Sequence, residues 1–328
     1  MLNPACNITI GSLQFDSVNE VRIESRWKEM TDKCLIKQPR NIKLSGKRLQ
    51  ELINVGDAVK VMLGYDGTLI EEFRGYVVRI KPTTPIEIEC EDEMWQLKKG
   101  SFTNSWKSVN LDTLLKYFLN GRPFKTLGTV NLGKFTLNKA TPAQCLEEIK
   151  KCYGLHSFFR NGVLIVGKVY DSETTTVHQY HFQKNVLPNP QLEFRSKEEM
   201  KVKVEAISIL KSGDKIEEKV GDDDGEERTL HFFNLNKADL LRMATIEMAK
   251  LKYDGYRGKM VAFGWPAAQH GDVAELDGIS SQLSIGQEPV SDHKGKYYID
   301  GVIKNFGLNG YKRELEIGPA QQQAMTLV

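Results

Sequence analysis

Residues 270–276 read HGDVAEL, and residues 295–318 read GKYYIDGVIKNFGLNGYKRELEIG. A Gly-Asp turn precedes a short apolar strand, and after a loop come a strand that contains Gly301 and a final alternating strand. Residues 56–91 repeat this order as GDAVKVMLGYDGTLIEEFRGYVVRIKPTTPIEIECE, with Gly75 inside the second strand. The chain therefore contains one β unit twice, and this duplication predicts two similar β domains.

The length and charge of the chain limit the classes of protein to consider. Its 328 residues are enough for two or more domains, each with its own core. Lys and Arg number 45 against 43 Asp and Glu, so the net charge of +2 gives no strong indication of binding to nucleic acid or to an anionic membrane. The sequence has no apolar run near the roughly 20 residues of a membrane span, and residues 1–11 lack the features of a secretion signal. We expect a protein that folds in the cytosol.

The N-terminal part of the chain has the pattern of a β-barrel. Between residues 8 and 97, short alternating strands are separated by glycines, with no long helix among them. The pair Asp66-Gly67 predicts a two-residue hairpin, because a type I′ turn needs positive φ at both central positions. These features predict a closed or nearly closed antiparallel barrel over residues 1–99.

Residues 100–168 have the pattern of a small α/β module. Asn110 and Thr141 each stand before an apolar series at helical spacing, which predicts two capped helices. Asn161-Gly162 lies between two apolar runs and predicts another tight hairpin. We expect this module to follow the first barrel directly.

The remainder of the chain returns to β patterning around one helix. We predict a second barrel from residues 169–235 and 256–319, a helical insertion at 236–255 and a loose tail at 320–328. Within the first of these segments, residues 213–233 predict a long hairpin with an acidic tip. The fold class is therefore mainly β with α/β insertions: two similar antiparallel, tube-like β-barrels flank a small α/β module.

Two motifs could suggest a metal site, and neither has the required pattern. His178 and His181 lie three apart in an alternating strand, which directs the two rings to opposite faces. The acidic run at residues 222–227 resembles a calcium loop, but the EF-hand register puts Val220 and His231 where essential carboxylates belong. We predict no metal site and no cofactor.

The sequence also lacks the common catalytic motifs, and we predict no catalytic residue and no enzyme activity. The recurrence of Asp after Gly at the head of a strand is explained by turn chemistry, since Asp accepts hydrogen bonds from nearby backbone amides. The first two glycines of the repeated units are predicted to serve turns, and the other two lie within strands where a bend or bulge is expected. The positions with these structural roles are Gly56, Asp57, Gly75, Gly271, Asp272 and Gly301.

Four stretches, taken in order, resemble a known family. They are ITIGSLQFDSVNEVRIESRWKEMTDKCLIKQP at 8–39, NVGDAVKVMLGYDGTLIEEFRGYVVRI at 54–80, LLRMATIEMAKLKYDGYRGKMVAFGWPAAQHGDVAELDG at 240–278, and the quoted run at 295–318. Together they resemble the baseplate hub proteins of contractile phage tails, of the late-control-D type, which are related to the hub part of type VI secretion spike proteins. The resemblance covers most of the chain, and the α/β middle contributes least to it.

This resemblance implies a structural protein that assembles as a homotrimer. Its expected partners are the tail tube protein, the spike protein and other baseplate proteins, with DNA only as passing cargo in the channel. Two similar barrels in three copies give six barrel units, so a threefold hub can present pseudo-sixfold symmetry to a sixfold tube. The hub part of the family carries no catalytic residues, and no lysozyme-like appendage is expected. The protein would be made in the bacterial cytoplasm and assembled into the tail baseplate of a virion or phage-like particle.

Two other functions remain open at the level of sequence. A tail-associated cell-wall glycan hydrolase could use a carboxylate pair that the sequence does not single out. A glycan-binding β module would need exposed aromatic side chains clustered on one face. Cell-wall zymography distinguishes the hydrolase from the structural hub.

Overall fold

A computed structural model of the chain describes residues 2–44, 46–126, 130–167, 170, 175–182, 184–188, 190–210, 212–252, 255–277 and 294–321. Within these residues the chain is mainly β, with four separate hydrophobic cores.

The first barrel is built by nine strands and two short helices. They are Pro4–Ile10 (β1), Leu13–Phe15 (β2), Glu20–Arg26 (β3), Lys33–Gln38 (β4), Lys43–Leu44 (β5), Lys47–Arg48 (β6), Leu49–Leu52 (α1), Ala58–Tyr65 (β7), Thr68–Lys81 (β8), Ile86–Glu91 (β9) and Met94–Leu97 (α2). Its main sheet has the order β2-β1-β7-β8-β9-β4-β3. Asp66 and Gly67 have φ of 51° and 82°, which confirms the predicted type I′ hairpin.

The middle module packs two helices against short strands. Its elements are Phe102–Asn110 (β10), Leu111–Leu119 (α3), Phe124–Thr126 (β11), Asn131–Ala140 (β12), Pro142–Tyr153 (α4), His156–Arg160 (β13) and Val163–Gly167 (β14). The Asn110 side chain accepts from the amide of Thr113, and Thr141 from that of Gln144, so both predicted helix caps are confirmed. The buried faces of α3 and α4 supply much of the core of the module.

The second half of the chain contains nine strands and one helix. They are Val177–His181 (β15), Gln191–Arg195 (β16), Val202–Ile209 (β17), Lys215–Gly221 (β18), Glu226–Phe233 (β19), Lys237–Leu251 (α5), Gly255–Phe263 (β20), Val273–Asp277 (β21), Gly295–Gly307 (β22) and Gly310–Ala320 (β23). Six of these strands form the second barrel, in the order β15-β21-β22-β23-β20-β16.

Strands β17 to β19 and helix α5 form a separate unit with its own core. The predicted hairpin at residues 213–233 is wrong: β18 pairs antiparallel with β17, while β19 pairs parallel with the opposite edge of β17. The physical reason is that β17 has the apolar face of the unit, with Val204 and Ala206 fully buried, and takes the central place. Residues 200–235 therefore lie outside the second barrel, unlike the predicted division. Residues 322–328 of the predicted tail lie outside the described residues.

The two barrels share one continuous sheet of 13 strands. The predicted fold class of two similar barrels with an α/β module is confirmed, and the sheet adds a feature that the sequence did not predict. Strand β3 of the first barrel pairs antiparallel with β22 of the second, so the barrels are joined by backbone hydrogen bonds. Each barrel wraps around a core of its own, and Phe306 and Tyr311 of β22 and β23 also pack into the core of the first barrel.

Candidate functional site

The two Gly-Asp turns have the same backbone hydrogen bonds. The amide of Gly56 donates to the carbonyl of Val77 over 2.8 Å, and the amide of Gly271 donates to that of Ile299 over 2.8 Å. Both glycines have a positive φ, 99° and 84°, which L-residues with a side chain adopt only under strain. The two β units are thus the same structure built twice, with Val77 and Ile299 at equivalent places.

The aspartates of the two turns have equivalent roles as well. Asp57 Oδ2 accepts from the amide of Asn54 over 2.8 Å, and Asp272 Oδ2 accepts from the amide of Gln269 over 3.0 Å. Asp272 is buried and also lies 3.0 Å from Nε2 of His178. The structure thus places both carboxylates in turns, where they satisfy backbone donors.

The two strand glycines are not equivalent to each other. In the pairing of β8 with β9 the bulge falls at Val78, and in the pairing of β22 with β23 one bulge falls at Asp300, so these two residues correspond. Gly75 precedes its bulge, whereas Gly301 directly follows the bulge and takes the place of Arg79. The two glycines therefore have different roles in packing.

Gly301 lies at the junction of the barrels and makes room for an ion pair. Arg26 in β3 lies opposite Gly301 in β22, and its Nε is 3.0 Å from Oε1 of Glu316 in β23. A Cβ atom on Gly301 would be 2.7 Å from Cγ of Arg26 and 2.8 Å from Oε2 of Glu316. The lack of a side chain at this position allows Arg26 to reach across β22.

A cluster of buried charges lies at the same junction. Arg313 is fully buried and donates to a carboxylate oxygen of Glu72, to the hydroxyl of Tyr311 over 2.9 Å and to the carbonyl of Gly264 over 2.8 Å. Nζ of Lys304 lies 2.7 Å from the other oxygen of Glu72, and the hydroxyl of Tyr311 donates to Glu72 over 2.7 Å. Glu72 belongs to β8 of the first barrel, while the two cations belong to β22 and β23.

The electrostatics of this cluster favour the ionised form of Glu72. Burial alone would raise the pKa of this carboxyl, but the nearby Lys304 and Arg313 outweigh burial and lower its pKa. An ionised Glu72 is required, since two buried cations without a carboxylate would be strongly unfavourable. All three charges are therefore needed to hold the two barrels in their relative position.

A cavity of about 70 Å³ lies beside the cluster, between both barrels and the β13–β14 hairpin. Asp32 and Asp92 line it, and the amide of Asp92 donates to the carbonyl of Asp32 over 3.1 Å. Burial raises the pKa of Asp32 to about 6, and burial together with the charge of Asp32 raises the pKa of Asp92. His270 also lines the cavity, and burial with the nearby Arg160 lowers its pKa to about 3, so its ring is neutral.

The raised pKa values of Asp32 and Asp92 predict an unusual dependence of stability on pH. A carboxyl whose pKa is raised in the folded state binds its proton more tightly there than in the unfolded chain, where Asp titrates near 4. Its contribution is therefore favourable at low pH and is lost as the pH rises from about 4 through the folded pKa. We expect Asp92→Asn to raise the free energy of unfolding by at least about 1 kcal/mol at pH 8 and to have no such effect at pH 4.

Urea denaturation of this variant at a series of pH values measures the effect. The amide retains an oxygen that can accept from the amide of Met94, as the carboxylate does over 3.0 Å. Asp223→Asn, at an exposed position, is the matched control. A gain in stability that is equal at pH 4 and pH 8 would contradict this account of the aspartate pair.

The two histidines of the HxxH motif contact different carboxylates. His178 lies against Asp272, and Nδ1 of His181 lies 3.5 Å from Asp277. In the part of the chain that the structure describes, no group of three or more His, Cys, Asp and Glu side chains is placed to hold a metal ion. Among the described helices, none is long and apolar enough to cross a membrane.

Comparison with known proteins gives structural relatives only. No protein-family model matches the sequence, and no significant match was found among curated proteins. A tail protein from Neisseria meningitidis MC58 is similar, with a TM-score of 0.62, 15% identity and 96% of each chain covered. The 43 kDa tail protein of prophage MuSo2 from Shewanella oneidensis has a TM-score of 0.61 and 14% identity, covering 96% of this chain and 98% of that one.

A third structure comes from a secretion system. The E. coli c3393 protein is a component of the type VI secretion system with structural similarity to the T4 bacteriophage tail proteins gp27 and gp5. It matches with a TM-score of 0.60 and 9% identity, covering 96% of this chain and 77% of that chain. At such low identity the likeness concerns the fold, and at that level the predicted resemblance to contractile-tail hub proteins is confirmed.

Proposed function

We propose that this protein is the structural hub of a phage or phage-like contractile tail baseplate. Three copies form a ring that joins the tail tube to the spike and lines the conduit through which DNA passes. Tube, spike and other baseplate proteins are its partners. The spike partner is supported by the similarity to a type VI component that itself resembles T4 tail proteins.

The observation that carries this proposal is the duplication of one barrel within one continuous sheet. The two halves share the strand order around the Gly-Asp unit, the turn hydrogen bonds and the position of a bulge. A trimer of such chains contains six similar units, so it can meet a sixfold tube on one side and a threefold spike on the other. A single barrel per chain would give a threefold ring only three such units.

A structural role is also favoured over a hydrolase. The raised pKa of Asp32 beside Asp92 is a feature that catalytic carboxyl pairs share. Their cavity, however, has a volume of about 70 Å³, well below the roughly 300–1,000 Å³ of typical ligand sites. A glycan chain does not fit there, and we assign the pair to the packing of the barrel junction.

Light scattering on the purified protein tests the proposed assembly. We expect either a single species of about 112 kDa, three times the 37.2 kDa of one chain, or a larger complex with three copies of this chain once the cognate spike protein is added. A monodisperse species of one chain that does not change when spike protein is added would contradict the trimer.

A further inference from the structure

The strand edges that are open in the described part of the chain include those of β16 and of the end of β8. Strand β16 pairs with β20 alone, and β8 has no described strand beyond Val77 on the edge that it shares with β7. Phe194 on β16 is 55% exposed, and Ile80 near the end of β8 is half-buried. Open edges present unpaired amide and carbonyl groups and are ready sites for pairing with another chain.

The duplication shows which strand corresponds to β8. Its bulge at Val78 matches the bulge at Asp300 in β22, so β8 of the first barrel corresponds to β22 of the second. Ile80 and Val302 each stand two residues after the bulge, and Lys81 and Ile303 each stand three residues after it. Ile80 therefore corresponds to Val302, and Lys81 corresponds to Ile303.

The neighbouring strands extend this correspondence. Glu89 in β9 and Glu316 in β23 are the partners of the residues that directly follow the two bulges. On their other side, Glu89 pairs with Leu35 in β4, and Glu316 pairs with Lys259 in β20. Strand β4 therefore corresponds to β20.

The open strand β16 corresponds to β3 by the same reasoning. Leu35 pairs with Arg22 in β3, and Lys259 pairs with Gln191 in β16, so Arg22 and Gln191 are equivalent. Three positions further along, Phe194 takes the place of Ser25. Among the described strands, however, β3 is covered by β22, whereas β16 has no such neighbour.

We propose that β16 of one copy pairs antiparallel with the end of β8 in the next copy, repeating between chains the β3–β22 contact that joins the two barrels within a chain. This inference rests on the proposed trimeric function. Because Ser25 lies opposite Val302 in the chain, Phe194 lies opposite Ile80 of the next copy. Glu24 lies opposite Ile303, and accordingly Glu193 lies opposite Lys81.

The side chains at the two edges fit this pairing. The exposed ring of Phe194 and the half-buried Ile80 cover each other, as the buried Ser25 and Val302 do within the chain. Glu193 and Lys81 have opposite charges, as stabilising cross-strand pairs do, and Lys81 also pairs with Glu87 and Glu89 of its own chain.

One position departs from the match. Arg79 stands where the chain junction has Gly301, so it lies opposite Arg195 of the neighbouring copy. The carboxylate of Glu89, the cross-strand partner of Arg79, corresponds to that of Glu316, which binds Arg26 within the chain. A carboxylate is therefore present at the equivalent place in both barrels, and that of Glu89 also pairs with Lys81 of its own chain.

The contact joins two different surfaces and is therefore head-to-tail. Such an interface closes into a ring when the rotation between units divides a full turn, and otherwise gives an open filament. When each contact between chains repeats the contact between the two barrels of one chain, first and second barrels alternate around the ring. Three chains then form six strand junctions, of which three lie within chains and three between them.

A cysteine pair placed in the predicted register tests this contact directly. The backbone bond from Trp27 to Asp300 fixes which pairs of the β3–β22 ladder are hydrogen-bonded, and by alternation Glu24 and Ile303 form a non-bonded pair. Such pairs have Cα atoms about 4.5 Å apart, within the range of a disulfide. The double variant Glu193→Cys with Lys81→Cys, oxidised briefly with diamide, should give a covalent trimer on a non-reducing gel.

In the control variant, the second cysteine is moved by two residues along β8 and the following loop. Glu193→Cys with Thr83→Cys lies out of register and should remain uncrosslinked under the same conditions, as should the wild type with its five native cysteines. If the wild type has the mass of a trimer but the in-register pair does not crosslink, the strand contact is wrong and the trimer stands. A crosslinked ladder that continues beyond three chains supports the contact and contradicts trimeric closure.

A variant without cysteines gives an independent measurement. Phe194→Glu places a charge in the predicted contact and should shift the light-scattering mass from three chains toward one. Leu308→Glu changes a residue that is 98% exposed at the tip of the β22–β23 hairpin and should leave the mass unchanged. Equal masses for the two variants, with circular dichroism showing both folded, would overturn the proposed contact.

Discussion

Replacing Glu72 with Gln is expected to lower the free energy of unfolding by about 3–5 kcal/mol. The amide keeps the shape of the side chain but removes the only carboxylate that contacts both Arg313 and Lys304 in the described cluster. Each of these cations is almost completely buried, and an uncompensated buried charge is far more costly than the loss of an exposed ion pair. Chemical denaturation of the variant and the wild type at neutral pH gives the difference.

The neighbouring residue provides a matched control. Glu71 also pairs with two cations, Arg74 at 2.8 Å and Lys60 at 3.3 Å, but these partners are largely exposed. We expect Glu71→Gln to cost less than about 1 kcal/mol, the usual range for surface ion pairs. If both variants lose the same small amount, the buried cluster does not hold the barrels together as described.

Replacing Gly75 with Ala is expected to cost about 3 kcal/mol. A Cβ atom at this position would lie 2.0 Å from the carbonyl oxygen of Glu91 and 2.8 Å from Cα of Asp92, and both are backbone atoms. The added methyl group can be accommodated only if β8 and β9 separate, which breaks their ladder at Tyr76. Differential scanning calorimetry should show a much lower midpoint of thermal unfolding.

Gly310 is the matched control for this substitution. It has a φ of 86° at the first position of β23, and no atom lies within 4 Å of its ideal Cβ position. Since Asn tolerates this backbone conformation, Gly310→Asn should cost well under 1 kcal/mol. A Gly75→Ala variant as stable as this control would show that the strands are not closely packed there.

Local patterns in the sequence predicted much of the fold. Alternation of apolar residues predicted the strands of the first barrel, and the positive φ of Asp66 confirms its hairpin. Asn110 and Thr141 cap the helices that they precede. These features depend on a few adjacent residues, which is why they can be read from one sequence.

Pairings between distant strands were not predictable in this way. The parallel contact of β19 with β17 and the junction of β3 with β22 depend on which strands meet in three dimensions. The predicted equivalence of the glycine-bearing strands holds, but Gly75 and Gly301 lie on opposite sides of their bulges. A bulge adds one residue to a strand, and no sequence pattern marks its position. Aligning the two β units by Gly75 and Gly301 therefore gives the wrong correspondence between their residues.

The sequence of the last strand contains one indication of the buried cluster. In the last strand, Tyr311, Arg313 and Leu315 alternate on one face, and the structure buries all three. A charged residue at an inward position of an alternating strand indicates a buried partner of opposite charge. The identity of that partner, Glu72, is set by the three-dimensional fold and could not be predicted from the strand itself.

The central claim is that one duplicated chain supplies six barrel units to a threefold ring. Electron cryomicroscopy of the assembled hub tests it most directly, because the number of barrels around the ring and the true rotational symmetry are both visible in the map. We predict six similar barrel densities around one channel, related by exact threefold and approximate sixfold symmetry. A ring with any other number of barrels, or a particle without a central channel, would contradict the account.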